Sequence, residues 1–115
     1  MASGTGSDHE VLERLYKVIL SRKGCDPEKS HTAKLFSRGR ARMAQKVGEE
    51  AVETAIAAVG NKVDEVRQES TDLLYHLLVL WADCGITPAD VFAELAHREG
   101  TSGVDEKKKR NYPAS

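Results

Sequence analysis

The sequence predicts an all-α protein built on two long antiparallel helices. Apolar residues recur every three or four positions along most of the chain, which is the spacing of a helix face. Few segments show the alternation of apolar and polar residues that is typical of strands. The three prolines stand where helices are expected to begin or end.

The first helix is predicted from about His9 to Lys23. Ser7 and Glu10 have the spacing of a capping box, and Gly24 is a typical residue just after a helix end. Between these signals, apolar residues follow the helical period at Val11, Leu15, Val18 and Ile19.

Four further helices are predicted from the same kinds of signal. Ser30 is expected to cap a short helix that ends at Gly39, and Thr87 precedes a proline, a common arrangement at a helix start. Gly60 and Asn61 separate the two longest segments. The predicted helices after the short one are Arg40 to Val59, Lys62 to Asp83 and Pro88 to Arg98.

Length and composition indicate one globular domain. The chain has 115 residues, of which 40% are hydrophobic and 30% are charged. We expect a flexible leader over residues 1–8, a helical domain over 9–99 and a basic tail over 100–115, which contains Lys107 to Arg110. A net charge of −1 argues against nucleic-acid or membrane binding as the main function. With two distant cysteines and no signal-peptide pattern, we expect a reduced, cytoplasmic protein.

Acidic residues occupy one side of the third predicted helix. On a helical projection, Glu49, Glu50 and Glu53 lie opposite a broad arc of alanine and valine. Like charges three or four positions apart destabilise an isolated helix by roughly 0.2–0.5 kcal/mol per pair. We expect the alanine arc to face the fourth helix. Because the apolar side of that helix is wider than the arc can cover, a second copy of the chain is expected to complete the bundle.

A second acidic pair follows on the fourth predicted helix. Glu69 and Asp72 are three positions apart, and a hairpin turn near residue 61 places Glu53 opposite Glu69. Converging carboxylates require a counter-charge, which Mg²⁺ supplies well because it prefers oxygen ligands. The alternative is a solvated acidic face, and spacing alone does not decide between the two.

The two acidic pairs resemble the signature of a known enzyme superfamily. Glu50-Ala51-Val52-Glu53, a spacer of fifteen residues and Glu69-Ser70-Thr71-Asp72 are similar to the motif of the all-α nucleoside triphosphate pyrophosphohydrolases, the MazG-like superfamily. Within it, the chain resembles the phosphoribosyl-ATP pyrophosphohydrolases of histidine biosynthesis in three segments, Ser30 to Leu35, Ala44 to Glu53 and Asp72 to Leu80. His31 departs from the pattern, since that family usually has an aromatic residue after the serine.

The resemblance implies an enzyme that cleaves the α–β phosphoanhydride of phosphoribosyl-ATP and releases phosphoribosyl-AMP and pyrophosphate. It implies Mg²⁺ as the cofactor and an activated water as the attacking group. The metal ligands implied by the motif are Glu50, Glu53, Glu69 and Asp72. Glu49 is either a further ligand or the catalytic base, and the sequence leaves that choice open.

A basic stretch precedes the acidic residues and suits a highly anionic substrate. It contains Lys34, Arg38, Arg40, Arg42 and Lys46. Lysine and arginine bind phosphate well. The expected substrate-binding residues are Lys34, Arg38 and Lys46, and Lys34 and Lys46 are favoured because they stand inside the segments that carry the resemblance. His76 is interpreted as a polar residue at the rim of the core, with a supporting role in the site as the alternative.

Two other functions are compatible with the sequence. One is an enzyme of the same superfamily that acts on an ordinary NTP or dNTP, and the other is a non-enzymatic helical dimerisation module with a solvated acidic face. We favour the phosphoribosyl-ATP hydrolase and expect it to act as a homodimer. Such a dimer offers shared sites, with residues 34–46 of one chain near the acidic residues of the other.

Overall fold

The computed structural model describes residues 10–100, and all regular structure in that range is helical. Its helices are α1 Val11–Arg22, α2 His31–Arg38, α3 Arg40–Val59, α4 Val63–Cys84 and α5 Pro88–Glu99. The all-α prediction is therefore confirmed, and the helices begin and end within two residues of their predicted bounds. The predicted leader over residues 1–8, including Ser7, and the tail beyond Gly100 lie outside the described residues. No helix in the described range is long and apolar enough to cross a membrane.

Side-chain caps explain where α2 and α5 begin. Ser30 Oγ accepts a hydrogen bond from the backbone N–H of Ala33 at 3.1 Å. At the start of α5, Thr87 Oγ1 accepts from the backbone N–H of Asp90 at 3.2 Å, and the Asp90 carboxylate accepts from the N–H of Thr87 at 2.9 Å. These contacts satisfy N–H groups that have no partner within the helix.

A single residue, Gly39, separates α2 from α3. Its φ of +95° and ψ of 170° belong to a region that residues with a side chain rarely adopt. The chain can therefore change direction at once between two helices. As a result, the basic residues of α2 and of the first turns of α3 lie on two neighbouring helices instead of along one.

Helices α3 and α4 form a hairpin that is closed at both ends. At the turn, Asn61 adopts a φ of +64°, and the backbone N–H of Lys62 donates to the carbonyl of Ala57 at 2.9 Å. At the other end, Arg40 Nε donates to Asp83 Oδ2 at 2.7 Å, and Arg40 Nη2 donates to the Asp83 carbonyl at 3.0 Å. The pairing of residues 40 and 83 shows that the two helices run antiparallel.

The apolar core lies toward the Arg40–Asp83 end of the hairpin. Its cluster of buried residues comprises Tyr16, Ile19, Leu35, Met43, Leu78, Val79 and Ala82. The Tyr16 hydroxyl donates to the carbonyl of Ile86 at 2.8 Å, which ties α1 to the loop before α5. The core thus anchors the half of the hairpin away from the turn.

The side of α3 that faces inward differs from the prediction. The buried residues of α3 are Met43, Glu50 and Ala57, which recur every seven positions. The alanine-rich arc is instead exposed, and Val52 and Val59 on it are 58% and 90% exposed. The expectation that this arc faces α4 was therefore wrong. Glu50 is the one acid of α3 on the inward side, where its polar partners offset the cost of burying a charge.

Candidate active site

Glu50 lies at the centre of the candidate site. Its side chain is buried, with Oε1 2.5 Å from Nδ1 of His76 on α4 and Oε2 3.9 Å from Nζ of Lys46 on α3. A carboxylate removed from water is costly unless a positive or hydrogen-bonding partner compensates it. The hairpin is therefore joined at this level by a polar contact between its two helices.

His76 is buried beside Glu50 and not at the rim of the core. Its Nδ1 also lies 2.9 Å from the backbone carbonyl of Asp72, and its ring packs edge-on against those of Tyr75 and His31. Among the described residues, Glu50 Oε1 and His76 Nε2 have no partner with hydrogen-bond geometry. Oε1 is nevertheless in contact with His76 Nδ1, so His76 Nε2 is the buried atom here that is open to a bound group.

Glu53 and Glu69 meet across the hairpin, as the turn geometry predicts. Hydrogen bonding between the two carboxyl groups raises the pKa of Glu69, and burial and the charges of Glu53, Asp72 and Glu50 raise it further. All four predicted metal ligands thus lie close enough to affect one carboxyl group. A bound cation would relieve their mutual repulsion.

In their present rotamers, the four carboxylates do not form a complete metal coordination shell. In residues 10–100, no three side chains of Asp, Glu, His or Cys are arranged so that they could hold a metal ion. Glu53 and Asp72 are exposed and can change rotamer without disturbing the core. The donor set still fits Mg²⁺, which takes oxygen ligands from one or two carboxylates and keeps several waters. The buried Oε1 of Glu50, which has no hydrogen bond, is one such donor.

Glu49 lies on the flank of the acidic cluster. It is exposed, its Oε2 accepts a hydrogen bond from Gln45 Nε2 at 3.0 Å, and its Oε1 is 3.8 Å from Lys46 Nζ. Both contacts are with residues of α3. Glu49 is therefore accessible to solvent and to a substrate beside Glu50.

The expected substrate-binding cations gather around His31. Burial lowers the pKa of His31, and the positive charges of His76, Lys46, Lys34 and Arg38 lower it further. Three cations from two helices therefore lie close enough to affect one imidazole. This group adjoins the acidic cluster through Lys46, which contacts Glu50. Of the three, Lys34 and Arg38 lie on α2 and Lys46 lies on α3.

Arg40 does not belong to this cationic group, although it lies in the same basic stretch. Its guanidinium binds Asp83 at the far end of α4, and this hydrogen bond raises the pKa of Arg40. Its place in the basic stretch suggested that Arg40 would bind a phosphate group. The first turn of α3 instead directs Arg40 to the end of the hairpin, where it holds the two helices together.

Sequence reasoning missed one contact that supports the site. The buried Thr32 hydroxyl forms a hydrogen bond with the Tyr75 hydroxyl, which links α2 directly to α4. Tyr75 in turn packs against His76, so this bond helps to hold the cationic helix beside the acidic one. Both residues lie in the segments that carry the family resemblance. Their place in those segments was the only sequence signal that pointed to a role in the site.

Comparison with known proteins identifies the family. The sequence profile described as phosphoribosyl-ATP pyrophosphohydrolase matches residues 12–99. The chain is 67% identical to the phosphoribosyl-ATP pyrophosphatase of Paramagnetospirillum magneticum over 103 residues, which cover 90% of this chain and 94% of that protein. Proteins of the same name from Azospirillum brasilense and Rhodospirillum rubrum are 62% and 56% identical, over 87% and 88% of this chain and 90% and 86% of theirs. The chain therefore belongs to the phosphoribosyl-ATP pyrophosphohydrolase family.

Proposed function

We propose that the chain hydrolyses phosphoribosyl-ATP to phosphoribosyl-AMP and pyrophosphate, the second step of L-histidine biosynthesis, in the cytoplasm. Its family supports the reaction. The structural observation that carries the proposal is the buried Glu50, which contacts Lys46 and lies near the meeting point of Glu53 and Glu69. Such a site can bind a metal ion and a polyphosphate together.

Mg²⁺ is the proposed cofactor. The residues that would hold it are Glu50, Glu53, Glu69 and Asp72. Oε1 of Glu50, which is buried and accepts no hydrogen bond, and the raised pKa of Glu69 both support a cation among these carboxylates. When bound, Mg²⁺ supplies charge neutralisation at phosphate oxygens and activation of the attacking water.

The remaining residues of the site have distinct proposed roles. Glu49 is the proposed base, since its exposed carboxylate lies next to Glu50 in the chain and can accept a proton from the attacking water. Lys34, Arg38 and Lys46 bind the phosphates and stabilise the negative charge on the departing pyrophosphate. His76 positions Glu50 by its contact from α4.

We further propose that the protein forms a homodimer through the outer side of α3. Large apolar side chains are exposed on this side, with Val52, Ile56 and Val59 at 58%, 66% and 90%. Exposed apolar patches often mark interfaces, and a two-fold axis is the commonest way to cover one. The interface proposed from the structure therefore lies on α3, whereas the sequence suggested surplus apolar surface on α4.

Release of pyrophosphate from phosphoribosyl-ATP by the full chain tests the proposed reaction. We expect rapid release with Mg²⁺ and none with EDTA. A panel of NTPs and dNTPs separates this activity from that of an enzyme acting on ordinary nucleotides. Thermal stabilisation by Mg²⁺ separates it from a non-enzymatic module, since a ligand of the native state raises stability. A folded, Mg²⁺-loaded sample that releases no pyrophosphate would overturn the proposal.

A further inference from the structure

One side of α5 carries a groove that shares no residue with the candidate active site. Its volume is about 400 Å³. Two of its large apolar side chains are open to solvent, since Ile86 is 38% and Leu95 is 55% exposed. An exposed apolar surface often marks a contact with another segment of protein. We call this surface the α5 groove, and its lining residues are Ile86, Asp90, Val91, Glu94, Leu95 and Arg98.

Charged residues form one row along the α5 groove. Asp90, Glu94 and Arg98 follow one another at intervals of four positions, so they lie on one line along the helix. All three are exposed, and Glu94 Oε2 lies 3.5 Å from Arg98 Nη2. A carboxylate and a guanidinium each have room for more than one partner. From the end of α5 toward its start, the row therefore offers one base and then two acids to a further segment.

The segment that follows α5 carries charges in a complementary order. Residues 100–103 are Gly, Thr, Ser and Gly, a composition typical of turns. After them come Asp105 and Glu106 and then the basic run Lys107 to Arg110. These positions lie outside the described residues, which end at residue 100. A chain that reversed direction at residues 100–103 would bring its acids first to Arg98 and its bases next to the two acids of the α5 groove.

The spacing of the charges agrees as well as their order. Each helical residue advances about 1.5 Å, which places Arg98, Glu94 and Asp90 roughly 3, 9 and 15 Å from the end of α5. An extended chain advances about 3.3 Å per residue, so positions 105, 107 and 109 would lie roughly 3, 10 and 17 Å beyond position 104. Because side chains alternate along an extended chain, these three positions also share one face. An extended segment can therefore match each charge of the row in turn.

We propose that residues 104–112 bind along the α5 groove of their own chain, antiparallel to the helix. Three pairs of opposite charge hold the segment, namely Asp105 with Arg98, Lys107 with Glu94 and Lys109 with Asp90. Tyr112 then reaches the level of Ile86 and covers its exposed side chain. The inference does not depend on the proposed function, because no residue of the candidate active site takes part.

The short connection favours the chain's own segment over a second copy of the chain. Single ion pairs between exposed side chains contribute little, so a separate peptide with three of them would bind weakly. A linker of a few residues holds the segment beside the groove at an effective concentration on the order of millimolar. Docking within one chain therefore needs no more affinity than these ion pairs and one aromatic contact supply.

NMR spectra of the full chain test the proposal. NOE contacts should join the Tyr112 ring to the Ile86 methyl groups. Added salt should move the amide signals of Glu94 and Leu95, because exposed ion pairs are screened, and should leave that of the buried Val79 in place. Absence of any NOE between residues 104–112 and α5 would overturn the proposal. Contacts that appear only as protein concentration rises would assign the groove to a second copy and overturn it too.

Lys107→Glu in the full chain tests the register of the docked segment. It places an acid opposite Glu94 and should lower the equilibrium constant for docking about threefold, as when one exposed ion pair is lost. The position of the Leu95 amide signal measures it. Adding Glu94→Lys exchanges the two charges and should restore docking. A double variant that docks no better than Lys107→Glu alone would contradict the proposed pair.

Lys108→Glu is the matched control for Lys107→Glu. It makes the same change of charge one position further on, where the side chain of an extended segment faces away from the groove. It should leave the Leu95 signal nearly unchanged. Equal effects of the two variants would show that the basic run acts only through its total charge, and the proposed alignment would then be wrong.

Discussion

Nδ1 of His76 lies 2.5 Å from Oε1 of Glu50, and both side chains are buried. The contact joins α4 to α3 at the level of the acidic cluster. Its effect is to hold one carboxylate in a fixed position while the neighbouring Glu53 and Asp72 remain exposed. The site thus has one carboxylate in a fixed position and others that can change rotamer. This combination suits proposed metal ligands that adapt as the phosphate reacts.

Removing the partner of Glu50 should destabilise the protein. His76→Ala leaves a buried carboxylate with only the distant Lys46, and we expect a loss of about 1–3 kcal/mol in the free energy of unfolding. Urea denaturation of metal-free protein measures it. Adding Glu50→Gln should recover part of the loss, because the unpaired charge is gone. Strictly additive effects of the two substitutions would show that the contact is not an interacting pair.

Catalysis should require the exposed members of the acidic cluster. We expect Glu53→Gln and Asp72→Asn each to lower turnover by at least about 100-fold, as when charge stabilisation at the metal is lost. Metal-free stability should be unchanged or slightly higher, because repulsion between carboxylates is relieved. The measurements are pyrophosphate release and thermal unfolding in EDTA.

Asp64→Asn is the control for these two variants. Asp64 is an exposed acid in the first turn of α4, where it pairs with Arg67. It should retain normal turnover. Near-wild-type activity of Glu53→Gln or Asp72→Asn would remove that residue from the proposed ligand set.

Lys34→Ala should weaken substrate binding more than metal binding, because Lys34 lies in the cationic group around His31 and not among the carboxylates. Lys46→Ala should do the same, with an added effect on Glu50 because Lys46 contacts it. We expect KM for phosphoribosyl-ATP to rise at least about tenfold when a charge-assisted phosphate contact is lost. Titrating Mg²⁺ and substrate separately checks this, with the exposed Lys17→Ala as control. A changed Mg²⁺ requirement with unaltered KM in Lys34→Ala would contradict the assignment.

A charge on the outer side of α3 should disrupt the proposed dimer. Val59 is 90% exposed in the single chain, so Val59→Glu should not affect folding but should prevent association. Light scattering at micromolar concentration should give twice the chain mass of 12.6 kDa for the wild type and the chain mass for the variant. Val18→Glu on α1 is the control. A fully active wild-type monomer would show that neither the dimer nor a shared site is needed.

Tyr16 should make stability sensitive to alkaline pH. Burial first, and then the charges of Asp90 and Glu13, raise the pKa of Tyr16 above its usual 10.0. A raised pKa in the folded state means that the stabilisation is complete below about pH 10 and is lost as pH rises through the folded value. Tyr16→Phe removes the hydrogen bond to Ile86 and should cost about 1 kcal/mol at pH 7. The difference between wild type and variant should shrink above pH 10, and a constant difference would contradict this account.

Local signals were sufficient to predict the helices. Ser30, Thr87 and the glycines at 39, 60 and 85 act within a few residues of themselves, and each marks a helix boundary in the structure. The meeting of Glu53 and Glu69 could also be predicted, because a short turn fixes the register of a hairpin. These features need no knowledge of the rest of the fold.

The inward side of α3 could not be predicted in the same way. Helical projection places alanine inside and glutamate outside, since that is the usual preference. The contact of Glu50 with Lys46 is a local one between residues four positions apart on α3. The outcome for Glu50 depends, by contrast, on His76, which is 26 positions away. The same holds for Arg40, whose partner Asp83 is 43 positions away.

The apolar core occupies one end of the α3–α4 hairpin, and this has a consequence for local unfolding. Near Asp83 the helices are held by buried side chains and a guanidinium, whereas near Gly60 they carry repelling acids and a cleft. Backbone amides near the turn should therefore exchange with solvent faster than amides near the core end, because fewer buried contacts oppose local unfolding there. The half of the hairpin that carries the proposed site would then be the part least protected from exchange until metal and substrate bind. Binding would in turn stabilise the folded conformation of that half.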